Sequence, residues 1–315
     1  MQTVLVAGGA GFIGFHLCKS LLDSNYKVVC IDNFLTSDKN NLKDILGNQN
    51  FSLIEQDVTI PIQSLRPDYV FHLASPASPN KKSAKSYINH PIETLLVNSA
   101  GTYNLLELAK KSNAKFLYAS SSEIYGDPAM SVQKEDYFGN VNPNGVRSVY
   151  DEGKRFGEAI TFAYLRKHDL DVRVIRIFNT YGPVMQADDG RVVSNFINQA
   201  IKNEPITVYG KGAQTRSFCY VLDMVEGIKK AMFAPCTKGE VFNLGNPDER
   251  TVLDIAKLIK QMTNSSSKIV FEELPLDDPK ARKPDIAKAK NILGWEPKVR
   301  TGDGFQKTIE YFRSL

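Results

Sequence analysis

The stretch Val4-Leu5-Val6-Ala7-Gly8-Gly9-Ala10-Gly11-Phe12-Ile13-Gly14 decides the fold of this chain. It begins as a short apolar run and continues into glycines at positions 8, 11 and 14, after which residues 15–22 keep an apolar pattern compatible with a helix. The pattern predicts a strand, a tight turn and a helix. Because glycine has no Cβ, Gly8 can adopt the turn, Gly11 lets the backbone approach a diphosphate, and Gly14 lets the helix pack close to the strand. Free N–H groups at the start of the helix would then face the phosphates.

A second strand adds an acidic residue to this motif. Residues 27–32 form an apolar run that ends at Asp32, 18 positions after Gly14. A carboxylate there can accept hydrogen bonds from both hydroxyls of an adenosine ribose, and it would repel a 2′-phosphate. The motif therefore predicts NAD rather than NADP as the cofactor. A structural glycine turn beside a surface aspartate is the alternative, and the agreement of strand, spacing, helix and acid argues against it.

The length and composition suit a globular protein with two lobes. The chain has 315 residues, of which 42% are hydrophobic and 23% are charged, as in ordinary globular proteins. Strands alternate with helices through the first half, which predicts an α/β fold with a doubly wound parallel Rossmann sheet. We assign residues 1–180 to an NAD-binding Rossmann domain and residues 181–315 mainly to a smaller C-terminal α/β lobe that binds the substrate. A strand and a helix near residues 215–245 are expected to return to the first domain.

The charge pattern bears on the partners of the protein. The formal net charge is +4, and the basic residues are scattered rather than arranged in the stripe expected of a nucleic-acid-binding surface. We therefore expect an anionic small-molecule partner and no nucleic acid. There is no run of 18 apolar residues and the first strand begins almost at once, so we expect neither a membrane span nor a secretion signal.

Cysteine and histidine usage bears on the compartment and on metal binding. The cysteines are far apart and form no CxxC motif, which favours reduced thiols in a cytoplasmic protein. They are Cys18, Cys30, Cys219 and Cys236. The histidines are also dispersed, and we predict no metal site.

Other strand ends should border the same ligand, because the carboxyl ends of parallel strands meet at one edge of a sheet. The pattern favours a third strand over residues 51–58 and a fully buried fourth strand over residues 68–74. We expect the cofactor to contact these residues near the strand ends: Asn33, Asp57, Val58, Leu73, Ala74 and Ser75. Residues 80–87 are polar and rich in lysine, which is typical either of a mobile loop over the active site or of a solvated surface loop.

A Tyr-x-x-x-Lys pair indicates proton and hydride chemistry. Tyr150 and Lys154 lie four positions apart in a predicted helix that runs to about residue 168, so both side chains project from one face. Free tyrosine has a pKa of about 10 and is a poor base near neutral pH, but a nearby ammonium and a positive nicotinamide ring would favour the phenolate. Tyr150 could then accept the proton of a substrate hydroxyl while the carbon hydride moves to NAD. Lys154 would also hold the nicotinamide ribose, and Ser121, at a strand end, can hydrogen-bond the same substrate oxygen.

Several stretches are more specific than this pair. They are residues 72–79 (HLASPASP), 122–128 (SEIYGDP), 139–143 (GNVNP), 150–155 (YDEGKR), 189–196 (DGRVVSNF), 214–218 (QTRSF) and 282–285 (RKPD). Through them the chain, from Val4 to its C-terminus, resembles the extended short-chain dehydrogenase/reductase family and closely resembles its UDP-glucuronate decarboxylases. The Ser-Glu before Ile-Tyr-Gly, together with Arg-Lys-Pro, is the most specific part of the resemblance.

The resemblance implies a redox-neutral reaction on a UDP-sugar. NAD would oxidise C4 of UDP-glucuronate, the resulting β-keto acid would lose its C6 carboxylate as CO2, and the retained NADH would reduce C4 to give UDP-xylose. Tyr150 would be the base for C4 oxidation and Lys154 its partner, while Ser121 stands where the family commonly has threonine.

The resemblance also implies a second group of catalytic residues. Ser122 and Glu123 match the family's second catalytic hydroxyl and its carboxylate, and Arg282 matches its active-site arginine. A guanidinium can orient a sugar carboxylate through two parallel hydrogen bonds. Taken alone, Glu123 and Arg282 could equally be surface charges.

The same resemblance extends to the binding residues. It implies Asn179 near the diphosphate, residues 207–209 near the uracil and Arg216 on the phosphates, a role that suits an arginine in the small lobe. The residues expected to bind the substrate are Arg282 together with Pro79, Asn179, Arg191, Val192, Thr207, Val208, Tyr209 and Arg216. The resemblance also implies that Phe12, Ile13 and Asn98 belong to the cofactor-binding residues, in addition to those named above. Asn98 would be a structural or proton-relay residue, and an asparagine that bonds only the backbone is the alternative.

Other functions on the same fold stay open. Val184 stands where the family usually has arginine and the 80–87 loop is longer than usual, so the exact nucleotide sugar is not fixed. A nucleotide-sugar 4-epimerase or 4,6-dehydratase is the first alternative. A dehydratase typically has aspartate at the position of Ser122, and an epimerase needs no Glu123–Arg282 pair aimed at C6.

A catalytically silent NAD-binding regulator is the second alternative, and the intact Ser121, Tyr150 and Lys154 argue against it. Relatives of this kind are usually homodimers joined through helices that correspond here to residues 91–112 and 150–168. The apolar faces of these helices are compatible with a homodimer.

Overall fold

The computed structural model describes residues 1–273 and 282–315. The strands are β1 (Thr3–Ala7), β2 (Lys27–Asp32), β3 (Phe51–Glu55), β4 (Tyr69–His72), β5 (Lys115–Ser121), β6 (Val172–Ile177), β7 (Thr180–Tyr181), β8 (Ile206–Tyr209), β9 (Thr215–Ser217), β10 (Cys219–Tyr220), β11 (Val241–Leu244), β12 (Glu249–Thr251) and β13 (Ile269–Glu272). The α-helices are α1 (Phe12–Asp23), α2 (Pro91–Leu96), α3 (Thr102–Ser112), α4 (Ser148–His168), α5 (Val192–Ile201), α6 (Val221–Phe233), α7 (Val252–Thr263), α8 (Ala287–Leu293) and α9 (Thr301–Arg313).

A parallel sheet lies at the centre of the described residues. Its seven strands follow the order β11-β6-β5-β4-β1-β2-β3, and each neighbouring pair is parallel. The order reverses between β1 and β4, and open sheets of this kind bind ligands at the carboxyl ends of the strands beside such a reversal. The predicted doubly wound α/β fold is confirmed.

The glycine-rich turn has the geometry that its sequence predicts. Gly8 has a φ of +80°, and a Cβ on it would lie 2.6 Å from the backbone nitrogen of Ala74. A Cβ on Gly14 would collide with the carbonyl oxygen of Gly8. Helix α1 begins at Phe12, three residues earlier than predicted, because Gly11 is its N-cap. The turn therefore holds β1, the start of α1 and the end of β4 in close contact.

The predicted long helix over residues 91–112 is interrupted. A π-helical segment, Val97–Gly101, separates α2 from α3. Such a wide turn shifts the helical phase, so one apolar stripe cannot continue through it. Leu95 and Leu96 of α2 are exposed, with exposed fractions of 37% and 47%, whereas Leu105 of α3 is fully buried.

The C-terminal half contributes to two cores. Helices α5, α7 and α9 enclose an apolar cluster that includes Phe196, Ile259 and Phe305. Strand β11 instead pairs with β6 at the edge of the main sheet, and α6 places Met224 and Ile228 in the core that covers that sheet. The central sheet is therefore completed by residues that come late in the chain.

Candidate active site

A cavity of about 700 Å³ lies at the carboxyl ends of the central strands and is also lined by residues 179–216 and by Arg282. Most of the residues predicted from the sequence line it. These are Gly8, Gly11, Phe12, Ile13, Gly14, Leu73, Ser75, Pro79, Ser121, Ser122, Glu123, Tyr150, Lys154, Asn179, Arg191, Val192, Thr207, Tyr209, Arg216 and Arg282. The cavity thus brings together residues from both halves of the chain.

The remaining predicted residues do not line this cavity. Val58 and Val208 are buried in apolar clusters, and the backbone of Ala74 lies against Gly8. Asn33 donates a hydrogen bond from Nδ2 to Oδ2 of Asp57 over 2.8 Å. Val58 and Val208 thus contribute to packing, whereas Asn33 is exposed directly after β2.

Asn98 lies in the π-helical segment and is fully buried. Its Nδ2 donates to the hydroxyl of Ser75 over 3.0 Å and to the carbonyl of Thr94. Its Oδ1 accepts a hydrogen bond from the Tyr118 hydroxyl over 2.8 Å. Asn98 therefore connects Ser75, which lines the cavity, to a buried side chain of β5, and does more than bond the backbone.

Asp32 lies at the end of β2 and contacts the glycine-rich turn directly. Its Oδ2 accepts a hydrogen bond from the backbone nitrogen of Ala10 over 3.0 Å. Its Oδ1 accepts from the Phe34 nitrogen and from the Ser37 hydroxyl. The carboxylate therefore orders the turn as well as occupying the position predicted to bind a ribose.

The turn fits a dinucleotide. The closest atom to a Cβ placed on Gly11 is the carbonyl oxygen of Gly8, 3.3 Å away, and no other atom lies within 4 Å. Gly11 thus leaves room for a ligand over the first turn of α1, whose N-cap carries no side-chain hydrogen bond. Together with Asp32 at the next strand end, this arrangement suits the diphosphate and ribose of NAD.

Tyr150 and Lys154 lie side by side on α4, as their spacing predicts. Both are buried, with exposed fractions of 7% and 3%. The Lys154 Nζ lies 5.6 Å from the centre of the Tyr150 ring and donates a hydrogen bond to the carbonyl of Ala119 over 2.9 Å. The end of β5 therefore fixes the lysine beside the tyrosine.

The ionisation of this pair differs from the sequence-based expectation. Burial raises the pKa of Tyr150 to about 12, and a hydrogen bond with Ser121 only partly offsets it. Burial also lowers the pKa of Lys154 to about 7, against the opposing charge of Glu158. In the protein alone the pKa of Tyr150 is therefore raised, because desolvation outweighs the opposing effects of Ser121 and Arg191.

Glu123 holds two guanidinium groups. Its Oε2 lies 2.5 Å from Nη2 of Arg147 and 3.1 Å from Nη2 of Arg282. Burial alone would raise the pKa of the Glu123 carboxyl, but Arg147 and Arg282 outweigh burial and lower that pKa to about 2. Arg282 also donates from Nη1 to the carbonyl of Ser122. Glu123 is therefore an ionised acceptor, and Arg282 is anchored at the end of β5.

Two arginines of the C-terminal half also line the cavity. Arg191 makes a two-pronged pair with Asp189, with Nε–Oδ1 and Nη2–Oδ2 distances of 2.5 and 2.7 Å. Arg216 lies in β9 and donates to the carbonyl of Thr215. Asp189 thus balances part of the positive charge that Arg191 brings to the predicted substrate site.

The 80–87 loop lines the cavity, so it lies at the candidate active site rather than on a remote solvated surface. Five of its residues face the cavity, namely Asn80, Lys81, Lys82, Lys85 and Tyr87. The preceding Ser78 donates from Oγ to the carbonyl of Asp189 over 2.5 Å. This contact ties the start of the loop to the segment that carries Arg191.

Sequence reasoning missed Arg147 and Tyr87. Arg147 immediately precedes α4, and Tyr87 ends the lysine-rich loop. Neither belongs to a periodic pattern or a motif with fixed spacing, so a lone sequence offers no signal that sets them apart from surface side chains. Their role becomes visible only when Glu123 and Tyr150 are seen beside them.

The described residues were also compared with the requirements of a metal site and of a membrane-spanning helix. Within them, no three side chains of histidine, cysteine, aspartate or glutamate are grouped as a metal site would require. None of the helices in the same ranges combines the length and the hydropathy needed to cross a bilayer.

Sequence comparison places the chain among nucleotide-sugar enzymes. Residues 4–245 match the NAD dependent epimerase/dehydratase family. The chain is 49% identical over 312 residues to UDP-glucuronic acid decarboxylase 1 of Xenopus tropicalis, covering 99% of this chain and 72% of that protein. It is 50% identical over 311 residues to UDP-glucuronic acid decarboxylase 3 of Arabidopsis thaliana, covering 98% of this chain and 89% of that protein.

Solved structures share the fold over almost the whole length. UDP-glucose 4-epimerase of Thermotoga maritima, determined with UDP-glucose, superposes with a TM-score of 0.89 at 30% identity and 99% coverage of both chains. UDP-glucuronic acid 4-epimerase of Bacillus cereus, in complex with UDP-glucuronic acid and NAD, gives a TM-score of 0.87 at 28% identity and the same coverage. The fold, the glycine-rich turn and these similarities agree, and the chain belongs to the NAD dependent epimerase/dehydratase family.

Proposed function

We propose that this protein is an NAD-dependent UDP-glucuronate decarboxylase that produces UDP-xylose and CO2. The observation that carries the proposal is the placement of Glu123 and Arg282 in one cavity with Tyr150 and Lys154. Relatives at 49–50% identity over nearly the whole chain are UDP-glucuronic acid decarboxylases, which supports the same conclusion.

Each residue of the cavity has a chemical task in this reaction. The glycine-rich turn and Asp32 would hold NAD, which when bound would supply a reversible hydride acceptor for C4, so the reaction would be redox-neutral overall. Tyr150 accepts the proton of the C4 hydroxyl, and Ser121 hydrogen-bonds the same oxygen. In the complex with NAD, the positive nicotinamide ring would add to the charge of Lys154 beside the Tyr150 ring, and together they would favour the phenolate. Oxidation makes the sugar a β-keto acid, and its C–C bond to the carboxylate breaks because the C4 carbonyl accepts the electron pair.

The Glu123 cluster serves the carboxylate end of the sugar. Arg282 directs positive charge toward C6, while the ionised Glu123 and the hydroxyl of Ser122 orient water and protons around C5 after CO2 leaves. We assign the diphosphate of the substrate to Arg216 and Asn179, and the uracil to the segment that includes Thr207 and Tyr209. This division of roles is the one that the family resemblance implies, and it is supported by the position of these residues along the cavity.

The experiment is direct. Purified protein is incubated with UDP-glucuronate and NAD, and the products are followed by proton NMR and a CO2 assay. UDP-xylose with stoichiometric CO2 is expected. A product that keeps its carboxylate and has inverted C4 would instead identify a UDP-glucuronic acid 4-epimerase, like the Bacillus cereus enzyme.

We also propose that the protein is a homodimer. Apolar side chains on α2, α3 and α4 are exposed, including Ile92, Leu96, Tyr103 and Phe156 with exposed fractions of 61%, 47%, 49% and 48%. Exposed apolar side chains grouped on neighbouring helices are typical of an interface. Light scattering after gel filtration should give twice the 35.1 kDa chain mass, and a Phe156→Glu variant should give the monomer mass.

A cytoplasmic location is the last part of the proposal. The cysteines Cys18, Cys30, Cys219 and Cys236 are all free thiols, and the first three are buried. Free thiols are usual in a reducing compartment. Fractionation of cells that express the tagged protein should recover it with cytoplasmic markers, and recovery with another compartment would contradict this part.

A further inference from the structure

Three lysines of the 80–87 loop line the cavity, namely Lys81, Lys82 and Lys85. Lys81 and Lys82 are exposed and Lys85 is half-buried. The loop therefore presents accessible cationic side chains where the cavity meets the solvent.

These lysines are not neutralised by the protein, unlike several other cations of the cavity. Arg282 donates to Glu123 over 3.1 Å, and Arg191 makes its two-pronged pair with Asp189. Within residues 1–273 and 282–315, none of the three loop lysines forms an ion pair with a carboxylate. Their charge is therefore available to an anionic ligand.

The backbone that carries the lysines is held in place by a side chain outside the loop. Asn89 donates from Nδ2 to the carbonyl of Lys81 over 2.9 Å and to the carbonyl of Ser83 over 2.8 Å. The backbone nitrogen of Ser83 also donates to the carbonyl of Asn80 over 2.9 Å. The positions at which the lysine side chains leave the backbone are thus fixed before a ligand arrives.

The start of the loop packs against the segment that carries Arg191. A Cβ on Gly190 would collide with the side chain of Asn80, and Ser78 donates to the carbonyl of Asp189. Because Arg191 belongs to the residues assigned to the substrate, these contacts place the lysines on the substrate side of the cavity.

The substrate group best suited to several lysines is the diphosphate. Lysine binds phosphate as a point charge with three donors, and a diphosphate spreads its negative charge over enough oxygen atoms to meet more than one ammonium. We propose that Lys81, Lys82 and Lys85 bind the diphosphate of the UDP-sugar and make the site prefer a nucleoside diphosphate to a nucleoside monophosphate. This inference rests on the proposed function, which supplies the UDP group.

The loop variant Lys81→Gln/Lys82→Gln/Lys85→Gln tests the proposal, because glutamine removes the charge and keeps a polar side chain. The dissociation constants of UDP, UMP and uridine are measured by calorimetry with NAD in excess, so no turnover occurs. Each exposed contact contributes about 2- to 5-fold to affinity. We therefore expect UDP to bind about 10-fold more weakly or worse, UMP to be affected less, and uridine to change by less than about 2-fold.

Salt dependence gives a second readout that a packing role would not change. The loss of UDP affinity should be largest at low ionic strength and should shrink to less than about 3-fold at about 1 M salt, where the Debye length is about 3 Å. A variant with arginine at the same three positions keeps the charge and should bind UDP within about 3-fold of the wild type.

The matched control removes the same charge from three exposed positions that do not line the cavity, and its substitutions are Lys43→Gln, Lys111→Gln and Lys257→Gln. It should leave the affinity for UDP within about 2-fold of the wild type. Equal weakening of UDP and uridine by the loop variant, or equal effects of the loop variant and the control, would overturn the inference. Weaker binding of NAD with unchanged binding of UDP would also overturn it and assign the lysines to the cofactor.

The outcome is distinguishable from a failure of the proposed function. If the wild-type protein forms no UDP-xylose but the loop variant loses affinity for UDP and not for uridine, the decarboxylase proposal fails and the role of the lysines stands. If the wild type forms UDP-xylose and the loop variant binds UDP as tightly as the wild type, only the role of the lysines fails.

Discussion

The Nη2 atom of Arg282 lies 3.1 Å from Oε2 of Glu123, although 159 positions separate the two residues in the chain. Glu123 follows β5 in the central sheet, whereas Arg282 belongs to the C-terminal region. Arg282 is almost fully buried, with an exposed fraction of 1%. The folding of the whole chain, and not of the first domain alone, is therefore needed to assemble the carboxylate end of the site.

Replacing Glu123 should destabilise the protein as well as inactivate it. Glu123→Ala leaves Arg147 and Arg282 without their shared carboxylate in a largely buried place, which typically costs about 3–5 kcal/mol of the free energy of unfolding. Urea denaturation should show this loss, and UDP-xylose formation should fall by about 100-fold or more. Glu55→Ala removes an exposed ion pair with Lys39 and should cost less than about 1 kcal/mol. Equal stability of the two variants would contradict the role of Glu123.

Tyr150→Phe should abolish turnover without removing the cofactor. The substitution deletes the hydroxyl that accepts the C4 proton, and acid–base groups of this kind contribute about 10²–10⁴-fold to rates. We expect UDP-xylose formation to fall within that range while the affinity for NAD, measured by calorimetry, changes little. A variant that retains more than about a tenth of the wild-type rate would show that another group accepts the proton.

The buried Lys154 should make stability depend on pH. Its pKa is lowered to about 7 by burial, whereas an unfolded chain keeps it near about 10.4. Between these values the unfolded state binds more protons, so the destabilising effect of the buried ammonium is complete below about pH 7 and disappears as the pH rises to about 10. The wild-type Tm should therefore rise with pH across this window relative to that of Lys154→Met.

The control for this measurement is Lys111→Met, at an exposed position on α3. Calorimetric scans of the three proteins at several pH values give the comparison. If the Tm of Lys154→Met runs parallel to that of the wild type and of Lys111→Met, Lys154 does not titrate near neutral pH.

Two glycine substitutions test the close contact in the glycine-rich turn. A Cβ at Gly14 would collide with the carbonyl of Gly8, whereas a Cβ at Gly302, in the first turn of α9, would meet no atom within 4 Å. Gly14→Ala should therefore lose about 1–3 kcal/mol of stability and weaken NAD binding. Gly302→Ala should be neutral or stabilising by up to about 1 kcal/mol, because alanine favours a helix. Similar Tm values for both variants would contradict the predicted packing.

The sequence was most informative where a local motif sets the geometry. The spacing of Gly8, Gly11 and Gly14 requires a strand, a turn and a helix, and the four-residue separation of Tyr150 and Lys154 puts both on one helical face. Both predictions depend only on neighbours in the chain, which is why the structure agrees with them.

Features that depend on tertiary packing could not be predicted in the same way. One continuous helix was expected over residues 91–112, but the π-helical segment Val97–Gly101 interrupts it and changes its phase. Arg147 reaches Glu123 from a loop without periodicity, and Tyr87 is stacked on Tyr150 from another loop. A nearby ammonium and a positive nicotinamide ring were expected to favour the phenolate of Tyr150, but in the protein alone the degree of burial, which no motif encodes, determines the direction of its pKa shift.

The position of β11 has a consequence for protein synthesis. Strand β6 pairs with β5 on one side and with β11 on the other, and a ribosome releases residues 241–244 long after residues 172–177. During that interval the nascent chain presents an apolar strand edge, which is a template for unwanted pairing until the last strand arrives. The central sheet therefore cannot be completed before residues 241–244 have been synthesised. Chaperones would be needed most in the interval between the synthesis of β6 and that of β11.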